Sequence, residues 1–196
     1  MMNTKIEASV TTFVTPEARL SFPVLFEPRA VLGSAKLTYQ VTLLFPPKTD
    51  FAPFIEVMKA AMLKRWQKLV TLPAEKNPIR DCATYPYRTQ RYGGYDDGWK
   101  FIRTSSKYAP AIVNRMTQPV TDPSLVYAGM WVRAFLNAFA YDHPTGGRGV
   151  SFGLNALQLV RDGERLDGRP ADPGSAFSPL GEEEAPGEGL GEALFG

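Results

Sequence analysis

A chain of 196 residues, 44% of them hydrophobic, is long enough for one domain with a proper core and short for two. No apolar run approaches the ~20 residues that span a bilayer, and the opening "MMNTKIEASVTTF" lacks the apolar stretch of a secretory signal. One cysteine, Cys82, and one histidine, His143, exclude an intrachain disulfide and a zinc site of Cys/His spacing, so a reducing cytoplasmic setting without a metal is expected. The net charge of +2 hides an asymmetry: residues 1–169 hold all 22 Lys and Arg with 14 acidic residues, net +8, whereas 170–196 hold six acidic and no basic residues, net −6. That split points to a body that binds a polyanion and an acidic tail.

In chain order, residues 4–14 form a first strand around Val10, Phe13 and Val14, broken at Pro16. "ARLSFPVLFEPRA" (18–30) is extended but interrupted by Pro23 and Pro28, which reads as an edge strand or a loop. "AKLTYQVTLLF" (35–45) alternates cleanly, with Leu37, Tyr39, Val41, Leu43 and Phe45 on one face. Asp50 then caps a helix that runs to about Leu69, with Pro53 in its first turn. Phe51, Phe54, Ile55, Met58, Met62, Trp66 and Leu69 form its apolar stripe. Trp66 reads as core packing, with a ligand platform as the lesser alternative, and Lys59, Lys64 and Lys68 as a solvated face.

Residues 71–98 have no period, and a loop of this length is usually functional or partly disordered. Its cations and rings interleave: Arg80, Tyr85, Tyr87, Arg88, Arg91, Tyr92 and Tyr95. "WKFIRTSSK" (99–107) is a strand with Trp99, Phe101, Arg103 and Lys107 on one face. A turn-rich connection (114–124) leads to a strand near 129–141, and a glycine-rich turn (142–149) leads to a last strand near 149–155. From Asp167 onward Gly, Pro, Glu and Ala dominate, so the chain divides into a domain at 1–169 and a disordered acidic tail at 170–196.

The strand "MWVRAFLNAFAY" (130–141) poses the functional question. One face holds Met130, Val132, Ala134, Leu136, Ala138 and Ala140; the other holds Trp131, Arg133, Phe135, Asn137, Phe139 and Tyr141. Proteins that hold single-stranded nucleic acid without sequence preference join a cationic groove to aromatic platforms, each stacked base contributing about 1–3 kcal/mol. The faces at 131–141 and 99–107 both have this character. The bland alternative is that Trp131, Phe135 and Phe139 are core beneath the helix at 50–69; Arg133 and Asn137 favour exposure, since both need partners if buried. Arg148, in "GGRG", reads either as a phosphate contact or as an ordinary hairpin residue.

Other chemistries lack a signature. There is no phosphate-binding glycine loop and no dinucleotide fingerprint, and no nucleophile elbow. Nothing near Cys82 or His143 suggests an activated nucleophile. Asp81, Asp96 and Asp97 offer at most a carboxylate site for a Mg²⁺-dependent nuclease, and Asp-Asp-Gly before a strand is more simply a turn.

Four segments together, "ARLSFPVLFEP" (18–28), "PIRD" (78–81), "TDPSLVYAGMWVRAFLNAFAYD" (121–142) and "GRGVSFGLNALQLVRDGERLDG" (147–168), closely resemble a known family. It is the family of single-stranded-DNA-binding proteins of tailed phages, long catalogued as a domain of unknown function. The resemblance covers roughly residues 16–169. It implies an OB-type fold, sequence-tolerant binding of single-stranded DNA, a role in phage replication or recombination in the host cytoplasm, no cofactor and no catalysis. Where the family tends to read "RDGD", this chain has Arg80-Asp81-Cys82-Ala83.

The expected fold is therefore mainly β with one or two helices (α+β). It has an OB-type five-stranded barrel, a long helix after the second or third strand and the acidic tail. The expected DNA-binding residues are Trp131, Arg133, Phe135, Phe139, Tyr141, Trp99, Phe101, Arg103, Lys107, Arg88, Arg91, Tyr92, Tyr95 and Arg148. Replication or recombination proteins are expected to dock on the tail through Glu182, Glu183, Glu184, Leu194 and Phe195, and no membrane partner is expected. The rival expectation is a non-enzymatic phage structural or interaction protein whose aromatic face is a protein interface, where rings and Arg are also enriched.

Overall fold

The computed structural model describes residues 10–30, 35–84 and 93–166. Eight strands and one α-helix follow in the order β1 (Thr12–Val14), β2 (Ala18–Ala30), β3 (Leu37–Phe45), α1 (Ala52–Trp66), β4 (Arg80–Asp81), β5 (Lys100–Ser106), β6 (Ala111–Val113), β7 (Trp131–His143) and β8 (Gly147–Arg161). Five of them make the body. β2 pairs with β3, β3 with β5, and β8 with β7, all antiparallel; β5 meets β8 in parallel, and β7 returns to the start of β2. β1 continues beside β7, β4 beside β5 and β6 beside β8. The arrangement is OB-like, mainly β with one long helix after the second strand of the five.

The core forms where the inward positions of these strands meet the helix. Val41, Leu43 and Phe45 of β3 share it with Val132, Ala134, Leu136 and Ala138 of β7 and Phe152, Leu154 and Leu157 of β8. From α1, Phe54 enters the middle, with ring centroids 4.7 Å from Phe13, 5.2 Å from Phe45 and 6.0 Å from Phe152, all edge-on. Edge-on pairs of this kind add about 0.5–1.5 kcal/mol each beyond the area they bury.

Three local expectations change. The stripe on α1 is rotated: Phe54, Val57, Ala60, Ala61 and Met62 are buried, whereas Ile55 is exposed and Leu69 lies beyond the helix end. The small Ala61 packs in the core shared with the sheet, which a count of large apolar residues misses. Asp50 does help the start, since its Oδ1 accepts the Ala52 N–H at 2.9 Å, but Phe51 holds the cap position. β2 is neither loop nor wholly edge. Its first residues pair on both sides, Ala18 and Arg19 with Val132 and Trp131 and Arg19 onward with β3. Pro23 and Pro28 fall where the pairing slips and only β3 remains as a partner, so no β7 carbonyl lacks its N–H. β8, finally, runs six residues past its expected end and carries Arg161 into the sheet.

No described helix is long and apolar enough to cross a membrane.

Candidate nucleic-acid interface

On β7 burial alternates from Trp131 to Phe139. Val132, Ala134, Leu136 and Ala138 are buried, and α1 packs on that same inward side. The opposite side is therefore not under the helix. Phe135 and Phe139 are 40% and 44% exposed, Arg133 is exposed, and Trp131, Asn137 and Tyr141 are half-buried. Facing four of these positions across β8 are small residues, Ala156 opposite Phe135, Gly153 opposite Asn137, Ser151 opposite Phe139 and Gly149 opposite Tyr141, whereas Trp131 and Arg133 face Arg161 and Gln158. The rings thus rise beside a low floor. Tyr141 leans over that floor, because a Cβ on Gly149 would collide with its ring. On the other flank Val14 of β1, itself exposed, lies opposite Phe135.

The second face meets the first at Trp131. Its ring centroid lies 6.2 Å from that of Trp99, and the Arg161 guanidinium sits 4.0 Å above it while also pairing with Glu17 at 3.3 Å. Strand register continues the row from Trp131 to Arg19, Leu44 and Phe101. Arg19 donates from Nη2 to the Glu164 carbonyl at 2.6 Å and from Nε to the Gly129 carbonyl at 3.4 Å. Farther along β5, Arg103 is exposed with its guanidinium 5.8 Å from the Phe101 ring, and Lys107, just past the strand's end, is exposed.

Two expected contacts need correction. Phe101 and Tyr95 are buried with Leu44 and Cys82 in a second small core, on which Trp99 and Leu166 also pack. The segment 93–99 and the end of the described chain cover this stretch of the outer sheet, so a side chain that alternation points outward is enclosed again. Tyr95 keeps its hydroxyl satisfied against Ser21 Oγ at 3.2 Å. Arg88, Arg91 and Tyr92 lie outside the described residues, as do Glu182, Glu183, Glu184, Leu194 and Phe195.

Arg148 is committed locally. It lies opposite Asp142 in the β7–β8 hairpin, pairs with it at 3.2 Å and sits 5.3 Å above the Trp66 ring. Trp66 Nε1 donates to both Asp142 oxygens at 3.1 and 3.2 Å, and Arg65 joins at 3.2 Å. The indole hydrogen bond is the largest effect and holds the Asp142 carboxyl below its ordinary value; desolvation opposes it, and the Arg148 hydrogen bond and the Arg65 and Arg148 charges add to the lowering. Trp66 is thus half-buried with a defined polar partner, and the cluster ties the helix end to the hairpin. Asp81 pairs with Lys100 at 2.8 Å, and the described residues hold no cluster of three His, Cys, Asp or Glu side chains fit for a metal.

Residues 11–188 match the family model described as the single-stranded-DNA-binding protein of Enterobacter phage Enc34. The chain belongs to that family. Over 158 residues it is 32% identical to the protein p50 of Acyrthosiphon pisum secondary endosymbiont phage 1, covering 76% of this chain and 83% of that one. The Enc34 protein solved in complex with single-stranded DNA superposes with a TM-score of 0.67 at 18% identity, over 79% of this chain and 89% of its own. The crystal structure of gp2.5, a single-stranded-DNA-binding protein of bacteriophage T7, superposes with a TM-score of 0.54 at 13% identity, over 89% and 97%. At these identities the two structures establish a shared OB-like fold.

Within this family member, reasoning from sequence passed over Arg19, Arg161 and Phe22. Arg19 and Phe22 fell in a segment read as edge or loop, and Arg161 lay past the expected end of its strand. Phe22 is exposed at a slip in the β2–β3 register with a φ of 47°, a conformation uncommon for a bulky residue. Its neighbour Pro23, with Pro28 farther along the strand, was the available signal, since prolines in a strand mark bulges and edges.

Proposed function

We propose that the protein coats and protects single-stranded DNA during phage replication or recombination, with little regard for sequence and without catalysis, in the host cytoplasm. The observation that carries this reading, beside family membership, is the exposed aromatic row of β7 rising over the small residues of β8. Bases stack on Phe135, Phe139 and Tyr141, and on the half-buried Trp131. Arg133, Arg103 and Lys107 meet phosphates, as does the basic segment containing Arg88, Arg91 and Tyr92. The excess of +8 in residues 1–169 draws the strand in, and the −6 of residues 170–196 competes weakly for the same groove and recruits replication proteins through its acidic run and Leu194-Phe195.

The competing use of the same face is a protein interface, favoured by Val14 standing beside Phe135 as a small apolar patch. Intrinsic tryptophan fluorescence separates the two. A stacking strand of DNA is expected to quench Trp131 or Trp99, whereas a protein interface leaves the emission unchanged when DNA is added.

A further inference from the structure

We propose that Asn137 reads the edge of a nucleobase held against the exposed rings of β7, a role that rests on the single-stranded-DNA reading above and deepens it. Next-but-one residues on a strand lie about 6.8 Å apart. Asn137 therefore stands midway between Phe135 and Phe139, the two most exposed rings of the row. A base laid against either ring stands edge-on to the sheet, and the polar group waiting at that edge is the Asn137 carboxamide. Its position is set from below. Gly153 is its register partner, and a Cβ built there would stand 2.5 Å from Oδ1 and 3.1 Å from both Cγ and Nδ2, so the amide lies across the glycine. Among the described residues the Asn137 side chain has no hydrogen-bond partner, although it is half-buried. Neither amide atom is buried without a partner, so the group is open to solvent and to an incoming ligand.

The chemistry suits a protein that does not discriminate strongly among sequences. A carboxamide offers a donor and an acceptor side by side, and turning its last torsion exchanges them. Each base also carries a neighbouring donor and acceptor on its Watson–Crick edge, which is free in a single strand. Asn137 can therefore hydrogen-bond any base, while a base already paired in a duplex offers it no such edge. The residue adds a polar test for single-strandedness to the non-specific stacking.

The experiment compares thymidine oligomers of about 16 nucleotides, the upper end for one OB-type fold, with the same oligomers built from N3-methylthymidine. Methylation keeps the ring face and blocks the edge. The unaltered protein is expected to bind the methylated oligomer about two- to tenfold more weakly, and Asn137→Ala to lose that discrimination. Gly153→Ala keeps the Asn137 side chain but crowds its amide off its seat, and it too is expected to lose discrimination; this variant keeps the test open should Asn137→Ala fail to fold. Equal binding of both oligomers by the unaltered protein overturns the proposal. So does discrimination that survives in Asn137→Ala or Gly153→Ala. Failure of the unaltered protein to bind the thymidine oligomer at all overturns the single-stranded-DNA reading itself, a separate result.

Discussion

Phe135 and Phe101 occupy outward positions on their strands, and the molecule uses them in opposite ways. Phe135 stands 40% exposed between Val14 and Ala156, whereas Phe101 is 2% exposed beneath Tyr95 and Leu44. Replacing Phe101 with Ala is expected to cost about 3–5 kcal/mol of stability, seen as a lowered midpoint in thermal or denaturant unfolding. Phe135→Ala is expected to leave the midpoint nearly unchanged and to weaken single-stranded-DNA binding by about 1–3 kcal/mol. If Phe135→Ala unfolds the protein instead, the ring belongs to the core. From sequence the two were indistinguishable, because period-2 alternation assigns a side of the sheet but not what lies above it. For Phe101 the cover arrives from segment 93–99 and from Leu166, neither of which has a period to read. Arg133 and Asn137 were the legible clue on β7, since both would need buried partners under a helix.

Among the elements, the helix and the β7–β8 hairpin are linked through one carboxylate. The hydrogen bond from Trp66, then Arg148 and Arg65, depresses the folded-state pKa of Asp142. A depressed pKa means that its stabilising contribution is present at neutral pH and above the unfolded value, and is lost as pH falls through the folded value. Amide exchange in the hairpin at 142–148 is expected to quicken in acid for the natural chain. In Asp142→Asn it is expected to be quick already at neutral pH and to change less on acidification. An Asp142→Asn hairpin as protected as the natural one would show that the latch contributes nothing. Elements with a strict period, β3, β5 and β7, were readable to within two residues at each end. The start of β2 was not, because prolines farther along the same strand obscured residues that pair on both sides. β4 and β6, of two and three residues, are too short to show alternation at all.

At the scale of the whole molecule, charge and topology act together. The five-strand order brings β5 and β7, far apart in sequence, to either side of β8, and Trp99 into contact with Trp131. Periodicity gave each face, but only strand order could join them. If phosphates are held along these faces, binding must release counterions, and log affinity is expected to fall linearly with log salt, with a slope of about −0.7 per phosphate neutralised. An affinity that stays flat from low to moderate salt would contradict a cationic groove. Removing residues 170–196 is expected to raise affinity at low salt, by taking away the −6 that competes with DNA; equal affinity with and without them would mean that the tail does not reach the groove. The central claim, preference for a single strand, is tested most directly by fluorescence anisotropy of a labelled thymidine oligomer with unlabelled duplex of equal length as competitor. Tight binding that the duplex fails to displace is the predicted result; no binding, or equal competition by the duplex, would contradict it.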